Sequence, residues 1–153
     1  FGSAGVVFGA TDSIAEINFG NGADPALSYD ISAGVDSLQQ LVYYWIIPDA
    51  ITVLGCSVLL GGSAASTAVD LNFHLVSYDV DTDNGGTSGD LSNGVIFGTA
   101  TVTDVHEDAI KYTNMVINST YADISAGKAL MMFVESTGTE DVSAKMTIKY
   151  HIQ

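Results

Sequence analysis

Apolar and polar residues alternate along the last stretch of the chain, where Val142, Ala144, Met146, Ile148, Tyr150 and Ile152 are separated by Ser143, Lys145, Thr147, Lys149 and His151. A period of two sends successive side chains to opposite faces of an extended strand, so this segment reads as a strand with one dry and one wet face. The same alternation sets Val69, Leu71, Phe73 and Leu75 against Asp70, Asn72 and His74. Two runs break the pattern. Leu41-Val42-Tyr43-Tyr44-Trp45-Ile46-Ile47 and Ala129-Leu130-Met131-Met132-Phe133-Val134 are apolar at both parities, which predicts strands covered on both faces. No segment of convincing helical period is available to supply the second cover, so the reading assigns that role to a neighbouring subunit. Tyr43, Trp45, Ile47, Met131 and Phe133 are the expected interface residues.

The runs are divided by turn formers. Asn21-Gly22, Asn84-Gly85 and Asn93-Gly94 mark tight turns, and proline occurs only at Pro25 and Pro48. Strands are predicted near residues 13–19, 27–31, 40–47, 51–60, 69–80, 94–103, 111–118, 128–135 and 141–152. Strands at this spacing predict an all-β chain, an antiparallel β-sandwich of jelly-roll type. One domain over residues 1–153 is the economical division, with residues 1–12 as a candidate extended N-terminal arm.

Charge then narrows the function. The chain holds 18 Asp and Glu against 4 Lys and no Arg, a formal charge of −14. Gripping nucleic acid requires a basic stripe that displaces counterions, and four scattered lysines do not form one. Attachment to an anionic membrane surface fails for the same reason. Hydrophobic residues at 47% nonetheless leave ample apolar surface to bury, which separates the chain from disordered acidic tails. The expectation is a well-cored domain with an acidic skin. Cys56, the only cysteine, excludes an internal disulfide and lies in an apolar run, as a small buried hydrophobe does. No run reaches the ~18 apolar residues of a membrane helix. The first residue is Phe1, from which a processed chain or a piece of a longer polypeptide is expected.

The most chemical stretch is Asp79-Val80-Asp81-Thr82-Asp83-Asn84-Gly85. Carboxylates at alternate positions before a sharp turn can wrap a hard cation, and Asp90 falls where a twelve-position calcium loop places its last acidic ligand. Asp79, Asp81, Asp83 and Asp90 are therefore the candidate Ca²⁺ ligands, although Asn84 stands where that pattern has Gly and the flanks read as strands. The alternative is a solvated loop of turn formers. Other constellations carry less. His106-Glu107-Asp108 points its side chains to alternating faces, and His74 and His151 lie on the polar faces of their strands, where exposed histidines are expected. Gly61-Gly62-Ser63-Ala64-Ala65-Ser66 lacks the strand-to-helix turn of an activated serine. Tyr43, Tyr44 and Trp45 could stack on a sugar, but a dense aromatic run is more often core or interface. Asn118-Ser119-Thr120 matches a glycosylation acceptor, a pattern common by chance. An enzyme is not expected.

Taken in order, several segments carry a resemblance: Tyr44-Trp45-Ile46-Ile47-Pro48-Asp49, the apolar strand at residues 51–60, Phe73-His74-Leu75-Val76-Ser77-Tyr78-Asp79, and Ile124-Ser125-Ala126-Gly127-Lys128-Ala129-Leu130 before the terminal strand. Over roughly residues 40–152 the chain resembles the jelly-roll proteins of tailed-bacteriophage virions, such as head fibres, capsid decoration proteins and tail-fibre tips. The resemblance implies a homotrimer on the particle surface, bound to other virion structural proteins, with no catalytic residues. Where members carry Arg in the penultimate strand this chain has Phe133-Val134-Glu135, which removes an interface salt bridge there. The uncharged residues 1–10 lack the basic arm of a genome-contacting shell protein, and an outside position follows. The rival reading is a carbohydrate-binding or receptor-binding adhesive module that uses Ca²⁺ and recognises a host glycan.

Overall fold

The computed structural model describes residues 2–8, 25, 27, 44–62, 69–81, 91–105, 110–136 and 142–153. Among them run β1 (Gly2–Phe8), β2 (Tyr44–Ile46), β3 (Ile51–Gly62), β4 (Val69–Val80), β5 (Leu91–Val105), β6 (Ile110–Asn114), β7 (Val116–Ile117), β8 (Asp123–Ile124), β9 (Ala129–Ser136) and β10 (Val142–Ile152). Among the described residues a 3₁₀ turn at Ser119–Tyr121 interrupts them. The expected all-β chain is found.

Two antiparallel sheets share these strands. The first has the order β1-β10-β3-β6, with β8 beside the other end of β3, and the second has the order β2-β9-β4-β5-β7. β3 has β10 along one side for its whole length, while Ser57 to Gly61 face β6 and Ile51 and Thr52 face β8 on the other. The predicted strand at residues 111–118 is divided at Met115, where the chain passes from the first sheet to the second. Met115 N–H donates to the Cys56 carbonyl at 2.9 Å, and two residues on, Ile117 pairs with Gly98 of β5. Residues 2–8, within the expected extended arm, form a strand paired with β10 from Gly2↔Tyr150 to Phe8↔Ala144, at the edge of the sheet among the described strands. The strand predicted at 13–19, and most of that at 27–31, lie outside the described residues.

The sheets close on one hydrophobic core. Val53, Cys56, Val58, Leu60, Ala144, Met146 and Ile148 of the first sheet meet Leu71, Phe73, Leu75, Phe97, Leu130 and Met132 of the second. That makes the described fold a β-sandwich. β10 follows its sequence pattern: Ala144, Met146 and Ile148 are buried while Lys145, Thr147 and Lys149 are exposed. A register shift between Lys149 and Tyr150 leaves Leu54 of β3 outside the ladder, the signature of a β-bulge, and Leu54 projects to the surface.

A second cluster lies on the opposite side of the second sheet. Val76 and Tyr78 of β4, Leu91 of β5 and Ala129, Met131 and Phe133 of β9 are buried together there, and the Tyr78 and Phe133 rings meet edge to face at 6.2 Å. This explains why residues 129–134 are apolar at both parities: even positions enter the sandwich core and odd positions enter this cluster. Leu27 also reaches the second sheet, where its carbonyl accepts from Gly94 N–H at 2.8 Å. Ile47, in the sandwich core, and Met131 and Phe133, in this second cluster, are buried without another subunit. All three are 0% exposed, which leaves them no surface to offer a neighbour.

Candidate functional site

The candidate cation ligands begin at the end of β4. Asp79 pairs with Ser92 of β5, and a register shift there places Asn93 at φ 50°, a left-handed conformation that asparagine tolerates well. The bulge aims the Asn93 amide back across the strands, and its Nδ2 donates to Asp79 Oδ2 at 2.9 Å. From the other side comes Lys128. Gly127 takes φ 84° in the turn before β9, its N–H donates to the Ile47 carbonyl at 2.7 Å, and Ile47 N–H donates to the Lys128 carbonyl at 2.9 Å. These two bonds fasten the turn to the end of β2. Lys128 Nζ is thereby held 2.6 Å from Asp79 Oδ1.

Asp79 is consequently engaged at both oxygens by groups of its own chain. The hydrogen bond from Lys128, then that from Asn93, hold its carboxyl below the usual carboxylate range, and partial burial only partly offsets them. A lysine ammonium supplies here the positive charge that a bound cation would bring. Asp81 is exposed beyond the strand end, and Asp83 and Asp90 lie outside the described residues. Among the described residues no three His, Cys, Asp or Glu side chains come close enough together to hold a metal ion.

The remaining candidates are distributed through the framework. Trp45 is half-buried and its ring lies 5.2 Å from that of Tyr150 at a tilt of 52°, so it packs against β10 and the core margin. Tyr43 lies outside the described residues. His74 and His151 are half-buried rather than exposed: His74 sits in the second sheet between Phe133 and Thr99, on the face that Asp70 and Asn72 share. Cys56 is buried in the core, and burial pushes its thiol up to about 12, which leaves it protonated and inert as a nucleophile. Asn118 caps the 3₁₀ turn, accepting from Thr120 N–H at 3.1 Å, which gives that Asn-Ser-Thr run a structural duty.

Two features escaped the sequence reading. The partnership of Asp79 with Lys128 joins residues 49 positions apart, and no local signal marks which lysine an acid will meet. The other is an exposed apolar group, Ile110, Tyr112, Leu59 and Leu54, on the first sheet. Ile110 and Tyr112 alternate with Lys111 and Thr113 along β6, and it is the apolar side that faces outward. No protein-family model matches the sequence, and no curated protein matches it.

Proposed function

We propose that the chain is a jelly roll serving as a non-enzymatic virion structural protein, a homotrimeric capsid decoration or fibre component on the particle surface. The observation that carries this reading is a nested pairing of strands. Set aside the two-residue β7 and β8, and eight of the described strands remain in chain order. The first pairs with the last (β1 with β10), the second with the seventh (β2 with β9), the third with the sixth (β3 with β6) and the fourth with the fifth (β4 with β5). That is the pairing of one long antiparallel ribbon. Rolling the ribbon adds β10 beside β3 and β9 beside β4, and both contacts are present. Such a winding supports the jelly-roll reading.

A fold hosts many functions, so the virion assignment draws on the resemblance of residues 40–152 and on surface chemistry as well. The net charge of −14 keeps such a component soluble at high concentration before assembly. Light scattering on the purified chain tests the trimer, with a mass of three copies expected; a single-copy mass at tens of micromolar overturns it. Labelling intact particles with an antibody against the chain tests the location. Signal on the outer surface is expected, and signal confined to disrupted particles overturns the outside position.

A further inference from the structure

The four strands β1, β3, β6 and β10 contain no Asp or Glu, so all 18 acids of the chain lie elsewhere, and three of its four lysines, Lys111, Lys145 and Lys149, belong to β6 and β10. With β8, whose Asp123 pairs with Thr52 near one end of β3, they form the first sheet, and over β10, β3 and β6 its outward face carries Lys145 and Lys149 and no carboxylate of those strands.

Register assembles its outward side chains into rows. Tyr112 of β6 stands opposite Leu59 of β3, which stands opposite Lys145 of β10; the neighbouring rows hold Ile110 with Gly61, and Asn114 with Ser57 and Thr147. Lys149 faces Gly55, next to the bulged Leu54. Ile110 is 81% exposed, Tyr112 65%, Leu54 46% and Leu59 45%, while Lys145 and Lys149 are exposed as well. An apolar strip bordered by two ammonium groups has the composition of an interface whose partner is acidic.

We infer that this face of β10, β3 and β6 is the surface on which a second copy of the chain docks, through an acidic part of that copy. The inference rests on the homotrimer reading above and assigns it a surface. Charge decides both the occupant and the symmetry. Stacking the face on its own equivalent across a two-fold axis would bring each lysine pair toward its symmetry mate. A head-to-tail contact sets the lysines instead against other parts of a copy, where acids such as Asp49, Asp70, Asp81 and Asp104 are exposed. Contacts of that heterologous kind close into rings, of which a trimer is the smallest beyond a pair. The apolar strip then loses its water in the contact, and the stems of Lys145 and Lys149 lie along it.

The test uses the full chain and its Lys145→Glu, Lys149→Glu double variant, with Tyr112→Ser as a second, uncharged variant and Thr99→Glu on the opposite sheet as a control. Masses are read by light scattering over a concentration series, with the far-ultraviolet circular dichroism spectrum as the check of folding. The expected result is a trimeric wild type and control, and a folded double variant and Tyr112→Ser whose assembly is weakened at least ten-fold. A monomeric wild type overturns the trimer reading itself. A trimeric wild type together with equally trimeric, folded face variants overturns the docking face alone.

Discussion

Asp79 illustrates how much one carboxylate depends on its neighbours. Its oxygens accept from Lys128 and Asn93, and the charge it carries is favoured in the folded chain. The side chains of the pair are 44% and 28% exposed, so screening by water limits the contribution to under about 1 kcal/mol. Because the folded carboxyl titrates below its unfolded counterpart, the stabilisation is complete above the unfolded value of about 4 and is lost as pH falls through the folded one. Asp79→Asn is expected to be less stable than wild type in urea unfolding at neutral pH and indistinguishable from it near pH 2. A difference that persists unchanged in acid would show that the charge has no part in it. The same pairing bears on cation binding, since a cation at Asp79 must displace Lys128. With Lys128 in place a chelator is expected to leave the melting temperature unchanged, and a fall on chelation would support the calcium reading of the acidic loop.

The hairpin of β4 and β5 depends on glycine at two places for one reason, close approach. A Cβ on Gly94 would stand 2.6 Å from Tyr78 Cε1 and 2.9 Å from Leu27 Cα, and one on Gly98 would stand 2.9 Å from Leu75 Cβ and 3.1 Å from Ile117 Cδ1. Backbone on one side and a packed ring on the other leave the first contact little room to relax. Gly94→Ala is expected to lose about 1–3 kcal/mol by overpacking. Gly55, beside the surface bulge, has nothing within 4 Å of the same probe atom, and Gly55→Ala is expected to lose less than half as much as Gly94→Ala. Chemical denaturation of the two variants compares them directly, and equal losses would contradict the packing account.

At the scale of the molecule, the described residues form two apolar layers instead of one. Leu130 and Met132 of β9 enter the sandwich core while Met131 and Phe133 enter the cluster outside the second sheet, so the strand is dry on both faces without any partner. Truncating Phe133 to Ala is expected to destabilise the fold by about 3–5 kcal/mol. Its mass in solution, under conditions where it remains folded, is expected to equal that of the wild type. A folded Phe133→Ala that dissociates would return this ring to a subunit interface. On the proposed reading, contacts between copies belong to Leu59, Tyr112, Lys145 and Lys149, which the chain itself leaves uncovered.

Period-two alternation over 69–75 and 142–152 located β4 and β10 from sequence alone, because a strand with one face in the core and one in water must alternate. The acid-free composition of β1, β3, β6 and β10 was also present in the residues from the start, but it acquires meaning only when pairing gathers those distant segments into one sheet. Apolar runs at both parities revealed that residues 129–134 are covered twice. They could not reveal what covers them, since hydrophobic burial is non-directional and is satisfied equally by a subunit or by the chain's own residues. Tertiary structure decided that question, as it decided which of four lysines would meet Asp79.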